Sequence, residues 1–326
     1  MDLLEDSYTY GRSLLTPAAR QKPLNAYLTG SSISASLSPT ILRRLFAGSK
    51  LPWDYNLVQT QDPREGLEVL QKDDTVGMSV TMPYKMVFMD YLDDVTPAAR
   101  AIGAVNTIFI RLDDQNKKRY IGANTDCIGI RNTLQTVPGL SARAKDKPAL
   151  VLGSGGAARS AVYALATFFD VSEIYIINRL KSEVDDLTRS MSSSLMGIKI
   201  RHLATREEAD AVKSPEVIVG TVPDYTPQTP GEKLTQQICY SMVRRAGSSG
   251  ATVLDMCYMP NSWTRLCKEA EGAGCTVVLG STVLVQVCAA QHVLWSEGPV
   301  NGRAMEEILE SMDAVGNASK APTARI

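Results

Sequence analysis

The sequence predicts an α/β protein of two domains, a mostly parallel α/β domain followed by a doubly wound α/β domain, with C-terminal helices that return to the first. Three observations lead to this prediction. The chain has 326 residues, a length that suits two domains. Short apolar segments alternate with amphipathic ones along most of it. A second series of strands opens near Ala149 with a glycine-rich turn.

The first domain is predicted from the segments between about residues 24 and 126. Strands are expected at "NAYLTG", "WDYNLVQ" and "TVGMSVTM", which are short and mostly apolar. Helices are expected at "SPTILRRLFAG", "PREGLEVLQK", residues 85–92 and "TPAARAIGA". Ser38 would cap the first of these helices, and Pro83 would begin the third. "AVNTIFIRL" and "RYIGANTD" flank a polar turn, which predicts a hairpin.

The second domain is predicted from "PALVLGSGGAARSAVYALATFF", which combines a strand, a glycine turn and an amphipathic helix. Further strands are expected at "EIYIINR", "KIRHLAT", "EVIVGTVP", "ATVLDMCY" and "CTVVLGS", with helical stretches between several of them. This alternation is typical of a doubly wound, Rossmann-type unit. The C-terminal segments "TVLVQVCAAQHVLW" and "NGRAMEEILESMDAVG" are predicted to be helical.

Composition excludes several classes of partner. The 34 basic and 35 acidic residues give a net charge of −1, whereas a nucleic-acid-binding surface needs a basic excess. No apolar run reaches the roughly 18 residues of a membrane helix, and the amino end lacks a secretory signal. Six scattered cysteines form no CxxC pair. We therefore expect a cytoplasmic protein with reduced thiols and no bound metal. A monomeric or homodimeric state is also expected.

The glycine turn predicts a dinucleotide site. Gly153 permits the tight turn, Gly155 lets a pyrophosphate approach the backbone, and the predicted helix that follows Gly156 and its neighbours offers free N–H groups at its amino end. Ser154 and Ala157 complete this loop. The pattern alone is weak, but it follows a predicted strand and precedes a predicted helix. A tight turn without any ligand is the alternative.

The end of the next strand bears on the choice of cofactor. NAD-binding domains carry an acid there, but this sequence has Asn178 and Arg179. Arg179 could pair with a 2′-phosphate and Lys181 could help, which favours NADP. Glu183 argues the other way, since it would repel a phosphate if it faced the site. The cofactor is therefore predicted to be NAD or NADP, and Arg179 as a merely solvated charge stays an alternative.

Several separate motifs give the chain a resemblance to a known family. They are "GSSISASLSP" (30–39), "SVTMPYK" (79–85), "AIGAVNT" (101–107), "GANTD" (122–126), "GSGGAAR" (153–159), "DMCYMP" (255–260) and "VLVQVCAAQHVLW" (283–295). In this order, over about residues 25–310, the chain resembles shikimate and quinate 5-dehydrogenases, and fungal quinate dehydrogenases in particular. The resemblance implies a substrate-binding and catalytic domain at 1–125 and 283–326, and an NAD(P)-binding domain at 126–282.

The resemblance also implies roles for single residues. Lys85 and Asp126 would form the catalytic pair. Lys85 would accept the proton of the reacting hydroxyl while hydride leaves for the nicotinamide, and Asp126 would hold Lys85. The other implied residues are Ser36 and Ser38 for the substrate carboxylate, Thr81, Asn106 and Tyr258 for the substrate ring, and Gly280 for the cofactor. A surface lysine at 85, helix capping by Ser38, and an Asx turn or helix cap at Asp126 are the alternatives that do not involve a ligand.

Three positions depart from the family pattern. Ala35 stands where a histidine is usual, Ser79 where an asparagine is usual, and Val287 where a substrate-binding glutamine is usual. Gln286 is one residue early, which turns it by about 100° on a helix. These changes leave three hypotheses open: a quinate or shikimate dehydrogenase, a non-catalytic sensor of quinate-pathway metabolites, or an oxidoreductase of secondary metabolism that acts on a related ring acid. A small cyclic polyhydroxy acid is the expected ligand in each case.

Overall fold

The computed structural model describes residues 3–195 and 197–320. By its internal contacts the chain divides into two compact units, one of Met1–Gly129 with Leu284–Ser311, and one of Ile130–Val283 with Met312–Ile326. The predicted domain limits differ from this division in three places. Residues 126–129 belong to the first unit, where the Asp126 carboxylate is bonded, whereas Val283 and residues 312–320 belong to the second.

A seven-stranded sheet forms the centre of the first unit. Its order is β3-β2-β4-β6-β7-β5, and β1 pairs with β6. The three pairs that β6 makes, with β1, β4 and β7, are antiparallel, and the other three pairs are parallel. The sheet is thus more mixed than the sequence predicted. The strands are β1 Arg12–Ser13, β2 Asn25–Gly30, β3 Asp54–Gln59, β4 Thr75–Val80, β5 Asp94–Val95, β6 Thr107–Leu112 and β7 Lys118–Ala123.

The helices around this sheet begin with clear local signals. Thr16, Asp62 and Thr96 each accept a hydrogen bond from the first turn that follows, with proline at an early position. The bounds are α1 Leu3–Ser7, α2 Pro17–Arg20, α3 Ser38–Gly48, α4 Pro63–Leu70 and α5 Pro97–Ile102. The next helix, α6 Asp126–Gln135, begins in the first unit and ends in the second.

Two details of the predicted helices are wrong. Leu37 is the N-cap of α3 and no side chain caps it, because the Ser38 hydroxyl is engaged with Ser36 instead. The helix predicted at residues 85–92 is a run of turns followed by a short 3₁₀ helix, Val87–Tyr91. Pro83 does not begin a helix, because residues 82–86 form turns; the bond between Met82 and Pro83 is cis.

A six-stranded sheet forms the centre of the second unit. All its pairs are parallel, in the order β10-β9-β8-β11-β12-β13. This is the doubly wound order predicted from the sequence, with the first strand, β8, at its centre. The strands are β8 Ala149–Leu152, β9 Glu173–Ile177, β10 Lys199–His202, β11 Val217–Gly220, β12 Thr252–Asp255 and β13 Thr276–Leu279. The helices are α7 Leu140–Ala144, α8 Gly156–Phe168, α9 Lys181–Met191, α10 Arg206–Asp210, α11 Pro230–Gly247 and α12 Arg265–Gly272.

Two long helices complete the chain, α13 Gly280–Ser296 and α14 Gly302–Lys320. In the first unit, Trp295 of α13 is buried and donates from Nε1 to the carbonyl of Ile108 at 2.9 Å. In the second unit, Lys320 of α14 pairs with Glu271 and lies over the ring of Trp263. These contacts explain why the last residues of α14 group with the second unit and not, as predicted, with the first.

Candidate active site

One edge of the first sheet gathers most of the predicted substrate residues. Strands β2, β4 and β7 all end at this edge, and β6, which is antiparallel to β4 and β7, begins there. The segments that follow the three strands carry the serine pair, Thr81 with Lys85, and Asp126, and Asn106 directly precedes β6. The strand pattern alone therefore brings residues that are far apart in sequence to one place.

Lys85 and Asp126 form an ion pair at this edge. The Lys85 Nζ lies 2.5 Å from Oδ2 of Asp126, and the two side chains are 17% and 8% exposed. The backbone of Lys85 is tied down as well, because its carbonyl accepts a hydrogen bond from the amide of Val105 at 2.7 Å. Nearly buried charges of this kind are stable only as a pair, and their proximity suits proton transfer. The sequence-based expectation that the two groups meet agrees with this geometry.

Asn106 holds the other oxygen of the carboxylate. Its Nδ2 donates to Oδ1 of Asp126 at 2.7 Å. The orientation of this amide is fixed, because its oxygen accepts from the amide of Thr125 at 2.7 Å, from the Thr125 hydroxyl at 3.1 Å and from the Thr107 hydroxyl at 3.0 Å. Each oxygen of Asp126 therefore has its own donor, Asn106 on one and Lys85 on the other.

Gln291 extends this network, and it was not identified from the sequence. Its Nε2 donates to the Thr107 hydroxyl at 3.1 Å, and that hydroxyl lies 2.8 Å from the hydroxyl of Thr125. Gln291 is buried in α13, in the otherwise apolar segment "TVLVQVCAAQHVLW". A buried amide group needs hydrogen-bond partners. A glutamine in an apolar helix therefore indicates a buried polar contact, but the sequence does not show which residue is the partner.

Three further predicted substrate residues, Ser36, Ser38 and Thr81, make hydrogen bonds within the segments that follow β2 and β4. The Ser36 hydroxyl donates to the Ser38 hydroxyl at 3.2 Å and accepts from the Ser38 amide at the same distance. The Thr81 amide donates to the carbonyl of Thr29 at 2.9 Å. A Cβ added at Gly30 would lie 2.5 Å from the Thr81 methyl carbon, so this close approach requires glycine.

The three positions that depart from the family pattern differ in environment. Ser79 is buried and accepts a hydrogen bond from the Tyr55 hydroxyl at 2.7 Å. Val287 is buried within α13, and Ala35 is exposed. Ser79 and Val287 are therefore part of the packing of the first unit.

The glycine loop of the second unit fits a dinucleotide. Gly153 has φ +112°, and a Cβ there would lie 2.6 Å from the Thr221 hydroxyl, so only glycine is tolerated. Gly155 is the N-cap of α8, and no side chain caps that helix. A Cβ at Gly155 would meet nothing within 4 Å. The helix thus presents uncapped N–H groups to open space, which is the arrangement that a pyrophosphate needs.

The residues after β9 form contacts that the sequence did not predict. Asn178 and Ser154 both donate to the carboxylate of Glu183, each at 2.9 Å. Arg179 is instead paired with Glu232 at 2.7 Å, and Lys181 with Asp185 at 2.7 Å. Arg179 and Lys181, which could have bound the 2′-phosphate of NADP, are therefore paired with acids. Glu183, which would repel that phosphate, is bonded to the glycine loop.

Gly280 and Tyr258 lie beside the end of β12. A Cβ at Gly280 would lie 2.5 Å from the carbonyl oxygen of Met256, so this position requires glycine for the packing of the second unit. Tyr258 is half-buried in the segment after β12. The buried Asp255 anchors this segment, because it accepts from the Cys257 amide at 3.1 Å and from the Thr264 hydroxyl at 2.6 Å. Burial raises the pKa of Asp255 to about 6.

The described residues contain neither a metal-binding cluster nor a membrane-spanning helix. Over residues 3–195 and 197–320, no cluster of three or more His, Cys, Asp or Glu side chains is arranged to hold a metal ion. Within the same ranges, no helix combines the length and the apolar character that crossing a membrane requires. All six cysteines are free.

Comparison with known proteins identifies relatives that match most of the chain. Residues 28–108 match the family model of the shikimate dehydrogenase substrate binding domain. The quinate dehydrogenase of Emericella nidulans is 35% identical over 289 residues, which cover 83% of this chain and 87% of that protein. A shikimate dehydrogenase solved with NADP⁺ is 26% identical, with a TM-score of 0.69, over 94% of this chain and 98% of that one.

A quinate dehydrogenase of Corynebacterium glutamicum, solved with NAD, has a TM-score of 0.72 over 89% of this chain and 99% of that one. At 22% identity this likeness shows the fold alone. The predicted fold class and the resemblance read from the motifs are both confirmed. The level of identity to the Emericella protein, sustained over most of both chains, shows that this chain belongs to the shikimate and quinate dehydrogenase family.

Proposed function

We propose that this protein is an NAD(P)-dependent dehydrogenase that interconverts quinate or shikimate with the corresponding 3-dehydro acid, and that Lys85 and Asp126 handle the proton. The observation that carries the proposal is the nearly buried Lys85–Asp126 pair at the edge where β4 and β7 end. The family membership of the chain and the names of its relatives support the same activity.

The first unit would bind the ring acid. Ser36 and Ser38 offer hydroxyl donors to its carboxylate, since hydroxyls can donate to an anion without a full counter-charge. Thr81 and Asn106 would bind the ring hydroxyls, and we assign Tyr258 of the second unit to the same substrate. Serine and threonine hydroxyls can each rotate to donate or accept, which suits a ligand that carries several hydroxyl groups.

Lys85 would act on the reacting hydroxyl. As a neutral amine it takes the hydroxyl proton while the carbon loses hydride, and the ammonium that forms is stabilised by the adjacent Asp126 carboxylate. Asn106 keeps one oxygen of that carboxylate occupied, so Asp126 faces Lys85 with the other. In the reverse direction the ammonium returns the proton to the developing alkoxide.

The second unit would hold the dinucleotide, which when bound supplies the hydride acceptor or donor. Gly153, Ser154, Gly155, Gly156 and Ala157 would bind its pyrophosphate at the start of α8. Asn178, Arg179 and Gly280 are the further residues assigned to the cofactor. The fit of the uncapped loop supports NAD or NADP, and the relative solved with NADP⁺ supports the same class of cofactor.

The test is a grid of quinate and shikimate against NAD⁺ and NADP⁺, followed through the near-ultraviolet absorbance of the reduced nicotinamide. We expect turnover with at least one of the four combinations, and much less turnover with the Lys85→Met variant. Absence of turnover in all four, with a folded protein, would contradict the proposal.

A metabolite sensor built on the same fold is the second candidate. It is favoured by Val287, which is buried and apolar at the position where the family pattern has a substrate-binding glutamine. Calorimetry distinguishes the two, since a sensor would bind quinate without turnover. If neither acid binds, an oxidoreductase of secondary metabolism acting on an altered ring is the remaining candidate. A cytoplasmic location and a monomeric or homodimeric state stay predictions.

A further inference from the structure

We infer that this protein binds NAD in preference to NADP and that the carboxylate of Glu183 sets the preference. The inference rests on the proposed function, because it names which dinucleotide the glycine loop takes. It concerns one part of the second unit: the glycine loop at residues 153–156, the end of β9, and the first turn of α9.

Glu183 lies against the glycine loop although it comes from a helix. Its Oε2 accepts from the Ser154 hydroxyl and from Nδ2 of Asn178, both at 2.9 Å. Ser154 is the second residue of the loop, and Asn178 directly follows β9. In doubly wound domains, the end of this strand is where the ribose hydroxyls of the adenosine bind. Glu183 therefore supplies, from five residues further along the chain, the acid that NAD-binding domains usually carry at the strand end.

The second oxygen of this carboxylate is available to a ligand. In the part of the chain that the structure describes, no hydrogen bond reaches Oε1 of Glu183, and its side chain is exposed. A carboxylate accepts hydrogen bonds only. The 2′-hydroxyl of NAD is a donor that suits it, whereas the 2′-phosphate of NADP has only acceptors and carries roughly −1.5 to −2 charge at neutral pH.

The two nearby cations do not offset Glu183. Arg179 pairs with Glu232, and Glu232 is itself fixed because it accepts from the amides of Gln228 and Thr229 at the start of α11. Lys181 donates to both oxygens of Asp185 on its own helix. Exposed pairs such as these are weak and can exchange partners. Redirecting Arg179 toward a phosphate would leave Glu232 without its guanidinium, which offsets part of the gain, and the Glu183 carboxylate at the loop would still repel that phosphate.

The test is calorimetric titration of the full-length protein, without substrate, with NAD⁺ and with NADP⁺. The same titration with 5′-AMP and with adenosine 2′,5′-bisphosphate isolates the 2′ position. We expect the wild type to bind NAD⁺ more tightly than NADP⁺ by about ten-fold or more, because placing like charges together is costly. In Glu183→Gln, which keeps an oxygen acceptor but loses the charge, this ratio should fall by about ten-fold, mainly through tighter NADP⁺ binding.

Asp186→Asn is the matched control. It removes one negative charge from the same helix, but Asp186 is exposed, pairs with Arg189 and makes no hydrogen bond to the loop. Its ratio should stay within about two-fold of the wild type, because exposed charges further from the ligand are screened. Equal or tighter binding of NADP⁺ by the wild type, or an unchanged ratio in Glu183→Gln, would overturn the inference alone. Failure of both dinucleotides to bind would overturn the proposed function and this inference with it.

Discussion

The Nδ2 of Asn106 donates to Oδ1 of Asp126 at 2.7 Å, and it does so with an amide that cannot turn over. Rotation of the amide would place its NH₂ group against the backbone N–H of Thr125, which can only donate, and its oxygen against the Asp126 carboxylate, which can only accept. Asp126 is therefore held by one neutral donor on one oxygen, while Lys85 occupies the other.

Lys85→Met should lower kcat by about 10²–10⁴-fold, the usual range for loss of a general acid–base group. The expected readout is steady-state turnover together with dinucleotide binding by calorimetry, which should be unchanged because the glycine loop belongs to the other unit. Lys117→Met serves as the control, since Lys117 is exposed in the turn between β6 and β7. Retention of kcat in Lys85→Met would show that another group takes the proton.

Gln291→Met should lower kcat more than it alters KM, because Gln291 acts on Asp126 only through Thr107 and Asn106. Methionine keeps the volume but leaves the Thr107 oxygen without its donor, at a cost in stability of about 1–3 kcal/mol. The pH profile of kcat separates positioning from mere destabilisation, since it should shift only if Lys85 and Asp126, the pair proposed to handle the proton, are disturbed. An unchanged pH profile with reduced stability would mean that Gln291 is structural.

Asp255 should make the free energy of unfolding of the second unit fall as the pH rises from about 4 to about 6. Its pKa in the folded state, about 6, lies above the ordinary value of 3.8, so the folded state holds this proton more tightly than the unfolded state. The contribution of Asp255 to the free energy of unfolding is therefore fully present below about pH 4. It falls as the pH rises to about 6, by on the order of 2–3 kcal/mol.

Asp255→Asn should lack this fall, because asparagine is neutral and still offers an oxygen to the Cys257 amide. The measurement is urea unfolding of both proteins between about pH 4 and pH 7, with the difference between them plotted against pH. His292 of the first unit titrates in the opposite sense, since burial lowers its pKa to about 4. Both proteins share that effect, so it cancels in the difference. A difference that does not change with pH would disprove the assignment to Asp255.

Glu297→Ala should destabilise the first unit by about 3–5 kcal/mol, the cost of leaving a buried charge without its partner. Arg111 is buried and lies 3.2 Å from Glu297, which also accepts from the Tyr8 hydroxyl at 3.0 Å. Thermal unfolding provides the measurement. Glu307→Ala is the control, because its pair with Arg303 is exposed and should contribute less than about 1 kcal/mol. Similar losses in both variants would contradict this expectation.

The sequence by itself determined the elements and the kind of chemistry. Strands and most helices could be predicted because their signals are local: apolar alternation, proline and threonine at helix starts, and glycine where a Cβ does not fit, as at Gly153. Residues 85–92 were wrongly predicted as a helix, since a run of turns and a short 3₁₀ helix leave no distinct periodic signal. Lys85 and Asp126 could be named from their motifs.

Tertiary structure alone decided which polar groups meet. Gln291 reaches Thr107 across 184 positions of sequence, and Glu183 rather than Arg179 bonds to the glycine loop. These outcomes depend on competition among hydrogen bonds and ion pairs whose partners are distant in the chain. A side chain's charge and polarity are properties of its residue type, but its partner is set by how strands and helices pack, and that information is not carried by any local pattern.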